Sequence, residues 1–209
     1  MEQSKLLGEL SEISHGFCDR EDSPLVENPV LLKQIHSARV ICLDQRPETV
    51  ESADAMVTRT PLLNLSIQTG DCAPVLLADP LHRVIGAAHA GWRGARSGIV
   101  EATLLAMVRL GADIKEIVAA IGPSIHQAHY QVSADFQAQF SADVQRFFAL
   151  FDDGVHFDLP SYVAHRLKEA GVRKVDMSSI DTHTDLRFYS YRRDPKDKVR
   201  QLSYIRLNP

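Results

Sequence analysis

Residues 73–90 read APVLLADPLHRVIGAAHA, two apolar runs that flank the tetrapeptide Asp79-Pro80-Leu81-His82. Each run has the length and composition of a buried strand. Asp in the first position and Pro in the second are typical of a type I turn. We therefore predict that the two runs form an antiparallel β-hairpin.

This hairpin is expected to bring a thiol close to an imidazole. With the turn centred between Pro80 and Leu81, Cys72 lies directly opposite His89. Directly opposed residues of antiparallel strands have Cβ atoms about 4.5–5.5 Å apart, although a bulge would shift the register by one residue. Such a spacing suits a shared metal ion or a thiolate–imidazolium pair.

The neighbours of this pair favour function over simple packing. A free cysteine is most often a small buried hydrophobic residue. Asp71, however, puts a charge at the edge of an apolar run, and the alanine and glycine neighbours of His89 leave space around its ring. We predict that Asp71, Cys72 and His89 are catalytic residues. Asp71 would handle a proton, or alternatively would orient a ligand or bind a backbone amide.

Residues 91–97 (GWRGARS) form a glycine-rich turn that leads onto a predicted helix. A helix N-terminus offers free N–H groups and the positive end of the helix dipole, and arginine side chains suit phosphate or carboxylate groups. Arg93, Gly94 and Ser97 are therefore candidate phosphate-binding residues. On composition alone, Arg93 and Arg96 could equally belong to a solvated loop.

Hydrophobic periodicity predicts the remaining elements. Strands are expected at 40–43, 53–61 and 63–70, and helices at 97–110, 132–151 and 160–170. The polar residues 19–29 indicate a surface loop, and the C-terminal third (173–194 and 200–207) has strand composition. Strands before, between and after helices indicate an α/β fold of layered mixed β-sheets with outer helices.

Length and composition bound the class of protein. The chain has 209 residues, of which 44% are hydrophobic and 24% charged, and its formal net charge is -4. One domain spanning residues 1–209 is expected, and nothing favours a nucleic acid or a membrane as a partner. Three cysteines without framework spacing, and no visible secretory signal, are typical of a cytoplasmic protein with reduced thiols.

Two motifs carry a family resemblance. GDCAPVLLAD (70–79) followed by VIGAAHAGWRG (84–94) resembles the YfiH/LACC1 family, formerly DUF152, whose members are also known as laccase-like polyphenol oxidases or purine nucleoside phosphorylases. Further matching segments are LLKQIHSARV (31–40), ADAMVT (53–58), AAIGPSI (119–125) and FYSYRRD (188–194). The resemblance covers nearly the whole chain and implies a CNF1/YfiH-like fold of the cysteine-hydrolase type.

The resemblance also implies a metal centre. Its ligands would be His36 from KQIH, Cys72 from GDC and His89 from HAGWRG, with zinc as the usual metal and copper as the alternative. Three protein ligands leave a fourth position open, which is typical of catalytic zinc sites. A fourth protein ligand such as Cys42 or His82 would instead indicate a structural zinc site in a binding module.

The activity that the resemblance implies is phosphorolysis of adenosine, inosine and methylthioadenosine to the free base and pentose 1-phosphate, with adenosine deamination as a second reaction. Arg93, the helix start at Ser97, and Arg192 or Arg193 would hold the phosphate. The metal ligands would serve deamination by activating water. Purine nucleosides and phosphate are thus the expected small-molecule partners.

Two other enzyme classes remain open. A metal-free hydrolase or amidase would use Cys72 as its nucleophile and His89 as its base, without needing His36. A copper polyphenol oxidase would use all three side chains. Multicopper chemistry needs further histidine clusters, however, and the other histidines are scattered along the sequence as expected for surface or packing residues; they include His126, His129, His156, His165 and His183.

The chain departs from the family pattern at three places. Relatives often have cysteine where this chain has Ser124, and Cys-Thr where it has Ile180-Asp181-Thr182. Many also have a longer glycine-rich loop near residues 16–24. The three expected metal ligands are unaffected, whereas the range of substrates depends on the pocket walls that such a loop would form.

Overall fold

The computed structural model describes all 209 residues, in thirteen strands and five α-helices. The strands are β1 Ile13–Phe17, β2 Pro29–Val30, β3 Val40–Leu43, β4 Ala55–Thr58, β5 Asn64–Thr69, β6 Ala73–Asp79, β7 Val84–Ala90, β8 Val118–Ile121, β9 Gln131–Val132, β10 Phe148–Phe151, β11 Gly154–Phe157, β12 Lys174–Met177 and β13 Gln201–Leu207. The helices are α1 Lys5–Gly8, α2 Trp92–Arg96, α3 Ile99–Arg109, α4 Ala134–Gln137 and α5 Leu159–Glu169.

The strands form three sheets. The largest has the order β12-β8-β6-β7-β4-β3, with parallel pairs at its two ends and antiparallel pairs between them. A four-stranded sheet has the order β1-β13-β5-β2, and a three-stranded sheet has the order β10-β11-β9. The predicted β6–β7 hairpin therefore occupies the middle of the six-stranded sheet.

Two hydrophobic cores cover the two faces of this central sheet. Along β6, Val75 and Leu77 point into a core with α3, α5 and a cluster of aromatic rings around Phe140 and Phe157. Leu76 and its alternating neighbours point into a second core against the four-stranded sheet. Both faces of the hairpin are buried, which explains its nearly continuous apolar runs. The predicted α/β fold of layered mixed sheets is confirmed.

The register of the hairpin differs from the prediction. Asp79 pairs with Val84 and Pro74 pairs with His89, so Cys72 is not directly opposite His89. The turn between the strands is two residues longer than predicted. Asp79, the last residue of β6, stabilises this longer turn because its Oδ1 accepts the backbone N–H groups of both Leu81 and His82. A shift of two residues keeps every side chain on its predicted face.

The predicted helix over 132–151 is wrong. Ser133 does cap a helix there, since its hydroxyl accepts the N–H of Phe136, but that helix is only the single turn α4. A 3-10 segment follows over 142–147, and β10 and β11 then form a hairpin with a two-residue loop. The Asp-Asp-Gly sequence at 152–154 is a hairpin signal that outweighs the helical spacing of the apolar residues.

Other boundaries shift for local reasons. The helix predicted over 97–110 is present as α3, whereas residues 92–96 of the predicted glycine-rich turn form the short helix α2. Gly98, which has a φ of +93°, separates the two helices. The strand composition of residues 178–200 is also misleading, because no strand forms there. Aspartate and serine side chains instead accept hydrogen bonds from several backbone N–H groups of this segment. The other predicted strands and the helix at 160–170 are present within a few residues. None of the helices combines the length and apolar character needed to cross a membrane.

Candidate functional site

The three predicted metal ligands converge at one end of the β6–β7 hairpin. The ligand atoms of His36, Cys72 and His89 all lie within 4.8 Å of one another. Cys72 Sγ is 3.9 Å from His36 Nε2, and the two imidazole rings meet edge to face with centroids 4.8 Å apart. Neither Cys42 nor His82 joins the group, since it contains three residues and His82 instead contacts Asp79 at the other end of the hairpin.

Three different elements carry these ligands. His36 lies in the loop between β2 and β3 with a φ of +59°, a left-handed conformation that is unusual for a residue with a side chain. Cys72 immediately precedes β6, after Asp71 with a φ of +92°. His89 is the penultimate residue of β7. The diagonal placement of Cys72 and His89 across the hairpin remains within reach of an imidazole.

One buried carboxylate, Asp54, fixes both histidines. Its Oδ1 accepts the N–H of His36 at 2.8 Å and lies 2.9 Å from Nδ1 of His89. Its Oδ2 accepts the N–H and the hydroxyl of Ser37 at 2.6 and 2.7 Å. Bonding of Nδ1 to a carboxylate leaves Nε2 of His89 for the metal position, and the bonds to the loop stabilise the left-handed His36. Sequence reasoning missed Asp54; a charged residue inside the apolar segment ADAMVT was the available signal.

The electrostatics of the group favour a thiolate. Burial raises the pKa of Cys72, but the nearby His89 and His36 more than compensate and lower it to about 6. Burial lowers the pKa of His89, whereas the Cys72 thiolate and Asp54 raise it to about 9. Asp54 is buried too, yet its hydrogen bonds hold its pKa well below the ordinary value. Without a metal, these interactions favour a thiolate at Cys72, an imidazolium at His89 and a carboxylate at Asp54.

The geometry fits a small soft or borderline metal ion. One sulfur and two nitrogen donors form a set that zinc and copper both accept. Gly91 keeps the approach to these donors clear, since a Cβ at this position would lie 2.9 Å from Cys72 Sγ and 3.0 Å from His36 Cδ2. The space beside the donors is therefore maintained by the absence of a side chain.

A cavity of about 650 Å³ opens beside the three ligands. Its walls come from the His36 loop, the ends of β5 and β7, the start of α2, the residues after β8, the start of α5 and the C-terminal segment before β13. The residues around it are Leu32, Lys33, Gln34, His36, Gln68, Thr69, Gly70, Asp71, Cys72, His89, Trp92, Arg93, Ile125, Tyr130, Leu159, Tyr191, Arg192 and Arg200. The cavity is large enough for a small organic ligand and combines aromatic rings with basic side chains.

Asp71 lies in the cavity wall, but its carboxylate is engaged by the protein. Oδ1 accepts the hydroxyl of Thr182 at 2.7 Å, and Oδ2 accepts the backbone N–H of Arg192 at 2.6 Å. The backbone-amide contact was one of the predicted alternatives for this residue. Asp71 thereby links the segment that bears Cys72 to the C-terminal wall of the cavity.

The structure separates the predicted phosphate-binding residues. Arg93 lines the cavity, and its guanidinium lies 4.7 Å from the centre of the Trp92 ring without a hydrogen bond to the protein. Gly94 and Ser97 lie outside the cavity lining. Arg193 also lies outside it, because its guanidinium donates to backbone carbonyls that include those of Thr182 and Phe188.

Arg192 belongs to the C-terminal wall of the cavity, and two positions where the chain departs from the family pattern, Ser124 and Asp181, lie near it. Arg192 lines the cavity, and its guanidinium donates to the carbonyls of His129 and Gln131. Asp181 accepts a hydrogen bond from His129 at 2.6 Å, and a backbone bridge joins Asp181 to Ser124. The five scattered histidines that were predicted to have surface or packing roles all lie outside the metal-ligand group.

Comparison with known proteins places this chain in a family. Residues 18–208 match the family model described as multi-copper polyphenol oxidoreductase laccase. The chain belongs to this family. A Deinococcus radiodurans member named purine nucleoside phosphorylase is 42% identical over 177 residues, which cover 84% of this chain and 69% of the relative. A Rickettsia prowazekii member with the same name is 32% identical over 196 residues, or 91% of this chain and 78% of the relative.

Solved structures of the family have the same fold. Neisseria meningitidis protein NMB0706, of family DUF152, is similar with a TM-score of 0.81 and 30% identity, covering 90% of this chain and 78% of that chain. The hypothetical protein YfiH of Bacillus licheniformis is similar with a TM-score of 0.81 and 25% identity, covering 91% of this chain and 79% of that one. The resemblance predicted from the GDC and HAGWRG motifs is confirmed.

Proposed function

We propose that this family member is a zinc-dependent purine nucleoside phosphorylase that acts on adenosine, inosine and methylthioadenosine and also deaminates adenosine. The observation that carries the proposal is the convergence of His36, Cys72 and His89 beside a cavity lined by basic and aromatic side chains. The names of the relatives from Deinococcus and Rickettsia support the choice of reaction.

The metal would be held by Cys72 Sγ and by the two imidazoles. When bound, zinc supplies Lewis acidity in a site with an open coordination position. The chain's own contribution is to keep the donors in place: Asp54 orients His89 through Nδ1 and holds the His36 loop. The lowered pKa of Cys72 keeps its sulfur in the anionic form that binds metals.

Phosphate binding is assigned to Arg93 and Arg192. Both side chains line the cavity, and neither forms a salt bridge with a carboxylate of this chain. A guanidinium next to the anomeric carbon can hold phosphate for attack as the C1′–N9 bond breaks. Gly94, Ser97 and Arg193 have no place in this assignment because they lie outside the cavity lining.

The purine would contact the aromatic residues of the cavity. Trp92, Tyr130 and Tyr191 provide ring surfaces of the kind on which a base stacks. Burial raises the pKa of Tyr130, so its hydroxyl remains a neutral donor at physiological pH. We assign Asp71 to positioning, since both of its oxygens already accept hydrogen bonds that connect the cavity walls.

Elemental analysis and product analysis test this proposal directly. Purified protein is expected to contain about one zinc per chain. Incubation with adenosine should yield adenine only when phosphate is present, whereas deamination should yield inosine without phosphate, and inosine together with its phosphorolysis product hypoxanthine when phosphate is present. Cys72→Ala should lose the metal and both products, whereas Cys42→Ala, which removes an exposed cysteine outside the site, should keep them. Full turnover by the Cys72→Ala variant would refute the mechanism, and copper in place of zinc would favour the oxidase alternative.

A matched substitution tests the phosphate assignment. Arg93→Ala should raise the phosphate concentration needed for adenine release, while inosine formation is affected much less. Equal loss of both products would show that Arg93 shapes the cavity and does not bind phosphate specifically.

One observation favours a second candidate, a metal-free cysteine hydrolase or amidase. Cys72, His89 and Asp54 follow one another as nucleophile, base and orienting carboxylate. His36 distinguishes the two candidates, because the hydrolase does not need it. Activity that survives both His36→Ala and a strong chelator would support the hydrolase, and loss in both cases would support the metal enzyme.

A further inference from the structure

The cavity carries more positive charge than one phosphate can neutralise. Four cationic side chains line it: Lys33, Arg93, Arg192 and Arg200. Asp71 is the only carboxylate among the lining residues, and its two oxygens accept hydrogen bonds from Thr182 and from the Arg192 backbone. Asp71 forms no salt bridge with any of these cations and offsets only one of their four charges.

The charges of the proposed reaction leave part of this excess unbalanced. A phosphate dianion held by Arg93 and Arg192 offsets two of the four cations. Lys33 and Arg200 remain, and once the charge of Asp71 is counted the lining still has one unbalanced positive charge. Arginine and lysine side chains gathered in a concave site favour a second anionic group.

One of the remaining cations, Arg200, lies close to a buried polar group that has no partner, and Lys33 lines the same cavity. Thr69 lines the cavity with 2% of its surface exposed, and its hydroxyl makes no hydrogen bond within the protein. The next residue, Gly70, packs against Arg200: a Cβ on Gly70 would lie 3.0 Å from Arg200 Cδ. An unpartnered buried hydroxyl costs free energy, so a ligand that bonds to it would recover that cost.

Arg200 retains free donors toward such a ligand. Only its Nη1 is engaged, by the carbonyls of Asp197 and Val199, which leaves Nε and Nη2 available. The Arg200 guanidinium carbon lies 5.9 Å from the centre of the Tyr191 ring, one of the aromatic surfaces of the cavity. A ligand whose ring contacts Tyr191 can therefore carry an anionic group to Arg200.

We propose that Lys33, Thr69 and Arg200 form a second anion-binding position that takes the 5′-phosphate of a purine nucleoside monophosphate. This inference rests on the proposed function, because it takes the nucleoside moiety to occupy the same cavity. Inorganic phosphate shares the chemistry of the 5′-phosphate, but it binds at Arg93 and Arg192. The proposal takes the two positions to be separate, so that a nucleotide and inorganic phosphate can be bound together.

Calorimetric titration of the metal-loaded protein tests this inference. Adenosine 5′-monophosphate is expected to bind roughly tenfold more tightly than adenosine, as charge-assisted hydrogen bonds to a phosphate predict. The advantage should persist in saturating inorganic phosphate, because that ion fills the other position. If inorganic phosphate abolishes the advantage, the 5′-phosphate occupies the Arg93 position and the inference is overturned.

Two substitutions assign the position to its residues. Arg200→Gln and Thr69→Val should each remove most of the nucleotide's advantage and leave adenosine binding unchanged. Arg46→Gln is the matched control, since Arg46 also donates to backbone carbonyls, those of Asn28 and Pro29, but lies outside the cavity. Unchanged nucleotide affinity in both cavity variants would refute the inference.

A stability measurement and a turnover measurement complete the test. Thr69→Val should fold with equal or greater stability than the parent, because it deletes an unpartnered buried hydroxyl and keeps the shape of the side chain. A destabilised variant would mean that the hydroxyl has a structural role, which contradicts the assignment. Nucleoside turnover without preferential nucleotide binding would defeat this inference alone, whereas preferential, Arg200-dependent binding without turnover would defeat only the proposed function.

Discussion

Asp54 connects two distant segments of sequence at the scale of a single side chain. Its carboxylate accepts a hydrogen bond from the backbone N–H of His36, in the β2–β3 loop, and lies within hydrogen-bond distance of the ring of His89, in β7. The backbone adds a further connection, since the N–H of His89 donates to the Asp54 carbonyl at 2.7 Å. One residue thus sets the tautomer of one ligand and the backbone conformation of the other.

Replacement of Asp54 should weaken metal binding more than it weakens the fold. Asp54→Asn retains the size of the side chain but cannot accept all of the present hydrogen bonds, and we expect metal affinity to fall about 10–100-fold. Competition with a chromophoric chelator measures this affinity. Asp176→Asn is the matched control, because Asp176 also accepts a backbone N–H and a serine hydroxyl but does so at α1. A wild-type affinity in Asp54→Asn would contradict the role of the carboxylate.

At the scale of elements, the β6–β7 hairpin was predictable and its register was not. Apolar runs and an Asp-Pro turn define a hairpin locally, but the number of residues in the turn depends on which backbone groups Asp79 captures. Because the error was two residues, the predicted face of Cys72 and His89 still held. Their convergence was therefore predictable from alternation, even though direct opposition was wrong.

Contacts distant in sequence account for the other errors. The apolar residues over 132–151 do have helical spacing, but they pack in an aromatic cluster with Phe157. A short helix, a 3-10 segment and a strand can place their side chains in this cluster as well as one long helix could. His36 was found only through the family resemblance, since nothing in its own neighbourhood distinguishes it from a surface histidine. The cavity walls could not be predicted from the sequence for the same reason, because they come from six separate segments.

The junction of α1 and β1 predicts a pH dependence of stability. His15 is 4% exposed, and its Nε2 accepts the N–H of Ser4, the residue that caps α1. Burial lowers the pKa of His15 from the ordinary 6.5, so the unfolded chain takes up the proton first as the pH falls. The stability contributed by neutral His15 is therefore complete above about pH 6.5 and is lost as the pH drops toward the folded-state pKa.

Urea unfolding at pH 7.5 and at pH 5 measures this dependence. The wild-type protein should lose more free energy of unfolding between the two conditions than His15→Gln, whose amide oxygen can still accept the bond without titrating. His126→Gln changes a histidine outside this junction and should behave as the wild type does. Identical pH dependences in the wild-type protein and in His15→Gln would contradict the prediction.

At the scale of the whole molecule, the site lies where the layers meet. Asp71 ties the Cys72 segment to residues 182 and 192, and Asp54 ties the His36 loop to the central sheet. A metal bound by all three ligands would add a further connection between a loop and the hairpin. Ligands that bind only the folded state stabilise it by mass action.

Metal binding is therefore expected to raise the melting temperature. At a free zinc concentration of about 100 times the dissociation constant, the gain is about 2.7 kcal/mol, which corresponds to roughly 5–10 °C for a chain of this size. Differential scanning calorimetry with and without a chelator measures the shift. Cys72→Ser should show no such shift, and a metal-independent melting temperature in the wild-type protein would count against the metal centre.

The position of the hairpin in the middle of the six-stranded sheet bears on how ligands come and go. Amides of β6 and β7 are shielded by strands on both sides, so they should be among the slowest in the molecule to exchange with deuterium. Residues 178–200, which supply Tyr191, Arg192 and Arg200 without forming a strand, should exchange far sooner. Local opening of residues 178–200, rather than any displacement of the three metal ligands, is then the expected route by which a substrate enters and a product leaves.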